Sequence, residues 1–273
     1  MVTLGSVFLR VKSRDLNYLL LKSAVSFMPD EKIKIGSVSY LNAKPLLYSF
    51  EKGGMQDKLE WELDHPAAIA GKLIRKEITI GLVPVAIIPQ LPESYILGNY
   101  CIGAVQEVAS VCLFSEVPLQ EVTSILLDYQ SRTSVELLKI LLKDHWKINP
   151  VLLPSSPGYE AKIGGTIAGL VIGDRAFVQR QKQQYCYDLA SAWIDLTGLP
   201  FVFAAWISNK KMPEDFVSEF DFHNSKGLLA IPELAKNYAI PEYDINQYFT
   251  QNISYSLDVA KREGLQLFLR LLS

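Results

Sequence analysis

From Ile33 onward, short β-branched runs alternate with stretches of helical spacing, and this alternation restricts the possible folds more than any other feature. The pattern predicts a strand at 33–38, then a helix over 44–53 with Pro45 in its first turn and glycines at its end. A second strand is predicted at 59–63, a helix over 66–75 with Ala67, Ala70, Leu73 and Ile74 on one face, and a third strand at 79–83. Two consecutive β-α-β units imply a parallel sheet with right-handed crossovers. Further strands are expected at 95–97, 101–105 and 108–114.

A second set of elements follows Pro118. It comprises a strand at 124–127, an amphipathic helix over 133–146, strands at 151–153 and 167–172, and a helix near 175–183. A long apolar strand at 201–208 precedes helices divided by Pro232 and Pro241. The expected architecture is α/β with two lobes, 33–117 plus 208–273 and 118–207, joined by extended strands near 115–117 and 205–208. Between such lobes lies the natural place for a ligand.

Charge and composition narrow the partner. Lys and Arg number 27 against 29 Asp and Glu in 273 residues, so there is no basic excess to drive nucleic-acid binding. The three cysteines, Cys101, Cys112 and Cys186, sit in apolar or aromatic runs and are expected to be buried free thiols. His65, His145 and His223 lie far apart, without the spacing of a zinc site, so no metal is expected. Residues 1–32 read as an extension ahead of the fold. Their apolar stretch, 16–27, is interrupted by Asn17 and Lys22 and is too short to span a bilayer. A small organic ligand fits best.

Four strand-to-helix turns could carry chemistry, because ligands of open α/β sheets bind at the carboxyl ends of the strands. In the first, Ser39, Tyr40 and Asn42 offer neutral hydrogen-bonding groups ahead of a helix, with capping by Ser39 or Asn42 as the alternative role. In the second, Ser131, Arg132, Thr133 and Ser134 open the next helix, and Thr133 with Glu136 matches a capping box. The third contains Gly173, which permits close backbone approach, and Asp174, a helix cap or a general base. The fourth, from Asp188 to Trp193 and then Thr197 to Ala204, has aromatics that could wall a flat ring or fill the core.

Taken together, GSVSYLNAKPL, DYQSRTSVELL, GLVIGDRA, DLASAW and TGLPFVFAAW resemble the chorismate dehydratases of the futalosine route to menaquinone, in the family's order and over most of 33–206. The resemblance implies a type II periplasmic-binding-protein-like fold and a cytoplasmic lyase. It implies that chorismate is dehydrated to 3-[(1-carboxyvinyl)oxy]benzoate without metal or organic cofactor. By motif match it places Asn42 and Ser110 in the catalytic site. The chain differs from the family at Ile88-Pro89-Gln90, where a serine is common, and at Ala104-Val105-Gln106-Glu107, where glycine and aspartate are usual. The same fold also suits a non-catalytic solute receptor or the related 1,4-dihydroxy-6-naphthoate synthase. The YLN and SRTS segments favour the dehydratase.

Overall fold

The architecture is that of a computed structural model that describes residues 31–272 except 39 and 239. The expected extension, 1–32, thus lies outside the described residues but for its last two.

Two sheets form, one per lobe. In the first, β1 (Ile33–Val38) pairs parallel with both β2 (Leu59–Asp64) and β3 (Ile80–Pro84), as the β-α-β reading requires. The crossover helices are α1 (Lys44–Glu51) and α2 (Pro66–Ile74). The strand order continues through β10 (Phe201–Ser208), which enters antiparallel between β3 and β4 (Tyr95–Ala104), to the short β11 (Ser254–Ser256). All eight residues of β10 are buried, as expected for a central strand covered on both faces.

The second sheet runs β7 (Val151–Pro154), β6 (Ser124–Leu127), β8 (Ile167–Ile172), β5 (Val111–Ser115), β9 (Tyr185–Asp188). Its side chains divide by the period-2 rule. Val111, Leu113, Leu170 and Ile172 join the main core, while Cys112, Phe114 and Val171 pack with Tyr159 and Ile163 on the opposite face. Helices α3 (Thr133–Ile140), α4 (Arg175–Arg180) and α5 (Leu189–Thr197) belong to this lobe. The carboxy-terminal helices α6 (Glu214–Leu229), α7 (Ile231–Asn237) and α8 (Val259–Leu271) return to the first.

Several expectations change. Strands 95–97 and 101–105 are one strand, continuous through a bulge at Gly98, whose φ of +70° suits glycine. The strand expected from Val108 begins only at Val111, because Asp188 captures the Val108 and Ala109 amides at 3.2 and 2.8 Å in a turn. The chain passes between sheets at 105–110 and 198–200, not at 117/118 and 207/208, since β5 pairs in the second sheet and β10 in the first. Strands β9 and β11 were not foreseen. Cys101 and Cys112 are buried as expected, but Cys186 is exposed on the edge strand β9.

Candidate functional site

A cavity lies between the lobes, at the carboxyl ends of β1, β3, β6 and β8. The first lobe contributes Val38, Tyr40, Asn42 and Pro84, and the second contributes Gln130, Ser131, Thr133, Ser134, Ile172 and Gly173. Phe203 and Ala204 of β10 supply an apolar floor. Among the described residues, the lining holds no carboxylate, imidazole, thiol or ammonium group. It is neutral throughout.

In the first-lobe turn, Tyr40 is extended, Leu41–Ala43 make one 3-10 turn, and α1 starts at Lys44 without a side-chain cap. The capping role considered for Asn42 is therefore not taken up, and Ser39 lies outside the described residues. Asn42 lines the cavity, and its buried Oδ1 has no hydrogen-bond partner among the described residues. The Tyr40 hydroxyl donates across the cleft to Gln130 Oε1. Burial, reinforced by the nearby Asp128 carboxylate, pushes that phenol up to about 12. Its ring lies over Gly173, where a Cβ would stand 3.3 Å from ring carbons and φ is +64°. The positive φ calls for glycine there, and a Cβ would also crowd the Tyr40 ring.

The second-lobe turn is capped differently from the sequence expectation. Ser131 Oγ accepts from the Ser134 amide at 3.1 Å, whereas the Thr133–Glu136 capping box does not form. Thr133 is buried and its Oγ1 instead accepts from the Ala86 amide of the other lobe at 3.2 Å. An interlobe partner has displaced a local one. Arg132 turns out of the cavity and donates to Gln90 Oε1 at 3.3 Å. Lys44 is likewise engaged elsewhere, with Glu51 at 3.1 Å.

One layer behind Gln130 lies a charged cluster. Buried Asp128 accepts from Arg175 at 2.7 Å, the Tyr159 hydroxyl at 2.8 Å, the Ile172 amide at 3.2 Å and the Gln130 amide at 2.9 Å. Arg175 also donates to Glu160 at 2.6 Å and to Gln130 Oε1 at 3.1 Å. Burial raises the Asp128 carboxyl above its ordinary value despite Arg175 and the hydrogen bonds.

On the other side of the cavity wall is a neutral cluster with one carboxylate beside it. Ser110 is fully buried; it does not line the cavity. Its Oγ accepts a hydrogen bond from Tyr248 at 2.7 Å, and its carbonyl accepts from the Gly173 amide at 2.8 Å. Burial drives the Tyr248 phenol well above its ordinary value. The hydrogen bond with Ser110 and the nearby Asn42 amide oppose the rise, while the adjacent Asp174 carboxylate adds to it. Asp174 makes no side-chain cap for α4, contrary to expectation. Its buried Oδ1 has no partner among the described residues. Burial raises this carboxyl too.

The structure thus ties Ser110 to one buried phenol, Tyr248, which sequence reasoning missed. Tyr248 sits at the start of a single π-helical turn, Tyr248–Asn252, far from any strand-to-helix motif. No local pattern points to it. Of the fourth segment, Trp193 packs in the core against Phe201, while Phe203 faces the cavity. Asp188 is structural, capping α5 and holding the Val108–Ala109 turn that leads to Ser110.

Comparison with known proteins agrees with this geometry. The chain is 27% identical over 232 residues to a chorismate dehydratase from Thermus thermophilus, covering 74% of this chain and 83% of that one. Its fold is similar to an Archaeoglobus fulgidus protein solved by X-ray crystallography (TM-score 0.70, 14% identity, 88% of this chain and 96% of that chain). It is also similar to the MOPS-bound alkanesulfonate-binding protein SsuA of Xanthomonas axonopodis pv. citri (TM-score 0.62, 14% identity, 92% and 96% covered). The architecture is the two-lobed, type II periplasmic-binding-protein-like fold. Among the described residues, no helix is long and apolar enough to cross a membrane. The family described as menaquinone biosynthesis matches residues 33–273, and the chain belongs to that family.

Proposed function

We propose that this protein is a chorismate dehydratase, a carbon–oxygen lyase that converts chorismate to 3-[(1-carboxyvinyl)oxy]benzoate and water. The observation that carries the reading is the neutral interlobe cavity, walled by hydroxyls, two amides and aromatic rings, in a chain of the menaquinone-biosynthesis family. The similarity to the Thermus dehydratase supports it.

A dianionic substrate in a neutral cavity must be held by oriented dipoles. The amino end of α3 supplies them, since first-turn amides lack intrahelical acceptors and carry the positive end of the helix dipole. The Ser131, Thr133 and Ser134 hydroxyls stand at the same end. Asn42 faces the substrate from the other lobe and orients the departing hydroxyl, with Ser110 acting from behind through Tyr248. Tyr40, Gly173 and Asp174 shape the closed wall. Arg132 has no part in binding on this reading.

In the reaction, the ring C–H beside the enolpyruvyl ether breaks and the neighbouring C–O bond to the hydroxyl breaks. The electron pair left by the proton completes the aromatic ring. The substrate's own enolpyruvyl carboxylate takes the proton, which leaves with the hydroxyl as water. Among the described residues, no basic side chain lines the cavity to compete for this role. Aromatisation supplies the driving force, so positioning and water exclusion count for more than base strength. No metal or organic cofactor takes part, and the enzyme acts in the cytoplasm on a biosynthetic intermediate.

The test is to incubate purified, EDTA-dialysed protein with chorismate and follow the product by absorbance and mass. Conversion with loss of one water is expected. Saturable binding with chorismate unchanged would overturn the assignment and leave a receptor; loss of rate after dialysis would overturn cofactor independence.

A further inference from the structure

Gln130, in the turn between β6 and α3, lines the cavity, and the protein uses only one end of its side-chain amide. Its Oε1 accepts from two donors. The Tyr40 hydroxyl reaches it from the first lobe, and Arg175 Nη2 donates to it at 3.1 Å. Arg175 is itself anchored, to Asp128 at 2.7 Å and to Glu160 at 2.6 Å, and so is committed to the second lobe.

The two ends of a side-chain amide have nearly the same shape, so their assignment depends on their partners. Here one partner decides it, because a guanidinium donates and never accepts. The end that meets Arg175 is therefore the carbonyl oxygen. With two bonds received, that oxygen has both lone pairs occupied. The NH2 group leaves the same carbon in another direction and donates to nothing among the described residues. Among those residues the lining carries no guanidinium or ammonium group, so an anion there relies on neutral donors. A group that only donates, held by its oxygen against an anchored arginine, suits a charged acceptor best. We infer that Gln130 is a ligand-binding residue: Tyr40 and Arg175 hold its amide by the oxygen, and its NH2 donates to a carboxylate of the ligand. That the carboxylate belongs to chorismate rests on the dehydratase reading, whereas the orientation of the amide does not.

The experiment compares wild type with Gln130→Glu and Gln130→Met. Glutamate keeps an oxygen for Tyr40 and Arg175 but replaces the donor by a second acceptor, whereas methionine keeps the length without charge. Both variants are expected to melt cooperatively. In each, KM for chorismate should rise about tenfold or more, the worth of one hydrogen bond to a charged group, with kcat within about threefold. The Kd of the reaction product, also a dianion, should rise in parallel. A readout that a merely structural role would not move is the proton–nitrogen resonance of the Gln130 side-chain NH2, identified by its loss in Gln130→Glu. It should move downfield when wild type is saturated with product. KM and Kd within about twofold of wild type in both variants, or a resonance that product leaves in place, would overturn the inference and put the NH2 in water. A loss confined to one variant would also overturn it, as charge repulsion alone for glutamate or a lost Tyr40–Arg175 contact for methionine. If wild type fails to convert chorismate, the dehydratase reading falls and Gln130 is judged on benzoate, a plain ring carboxylate, against benzamide. A downfield shift with benzoate and none with benzamide sustains the donor; no shift with benzoate, or equal shifts with both, overturns it. If Gln130→Glu does not fold, Gln130→Met identifies the resonance and is judged on the same KM, Kd and shift criteria.

Discussion

Two polar clusters flank the cavity, and they differ in how completely they satisfy themselves. The Asp128–Arg175–Glu160 cluster spends its groups internally: Asp128 receives four hydrogen bonds, and Arg175 is shared among two carboxylates and an amide. The Asn42–Tyr248–Ser110 cluster, with Asp174 beside it, leaves two buried oxygens without partners among the described residues, Asn42 Oδ1 and Asp174 Oδ1. A closed network rigidifies a lobe. An open one at a cavity wall is a place for a ligand, because buried polar groups are otherwise almost always paired. The charged cluster is thus scaffold and the nearly neutral one is site, the reverse of what charge alone would suggest.

The largest expected effect tests the scaffold half of this contrast. Asp128→Ala removes four hydrogen bonds and leaves Arg175 and Tyr159 short of a partner, and should cost about 3 kcal/mol or more of unfolding free energy. Urea denaturation measures it, and a loss below about 1 kcal/mol would mean the cluster is not structural. Next comes the site half: Asn42→Ala should lower chorismate turnover by about 10²-fold, comparable to losing one oriented group. Its melting temperature should stay near that of wild type, since the amide makes no helix cap. A near-normal rate would break the contrast outright.

A smaller effect concerns Asp174. Because burial raises its carboxyl, the folded protein binds that proton more tightly than the unfolded chain does. The stability tied to this group is therefore full below the ordinary carboxylate range and is lost as pH rises through the raised value. Asp174→Asn, always neutral, should gain on wild type as pH increases from about 4 towards neutrality, read as a widening difference in urea midpoint. A pH-independent difference would place the carboxylate in water. The smallest effect is at His65, whose Nδ1 accepts from the Ala68 amide at the start of α2. His65→Ala should cost about 1 kcal/mol of stability and leave turnover within about twofold. A large loss of rate would call for an imidazole base.

The sequence pattern was sufficient for the parallel core of each lobe. The β-α-β spacing from Ile33 to Pro84 required β1 to lie between β2 and β3, and the turn after β1 to face a cleft. It also led to Asn42, Ser131, Thr133, Ser134 and Gly173, all of which line the cavity. It failed where a tertiary partner outcompeted a local one. Thr133 bonds Ala86 instead of closing its capping box, and Asp188 unwinds the expected start of β5.

What the amino-acid order settled alone was periodic and local: which runs become strands, which helices bury which face, and where strands empty into helix-opening turns. Hydrophobic spacing and turn chemistry act over a few residues and can be read from them. Only the tertiary structure could bring Tyr248 to Ser110, or turn Arg132 out of the cavity. Those outcomes depend on hydrogen bonds between segments 138 and 42 residues apart, where no spacing rule reaches.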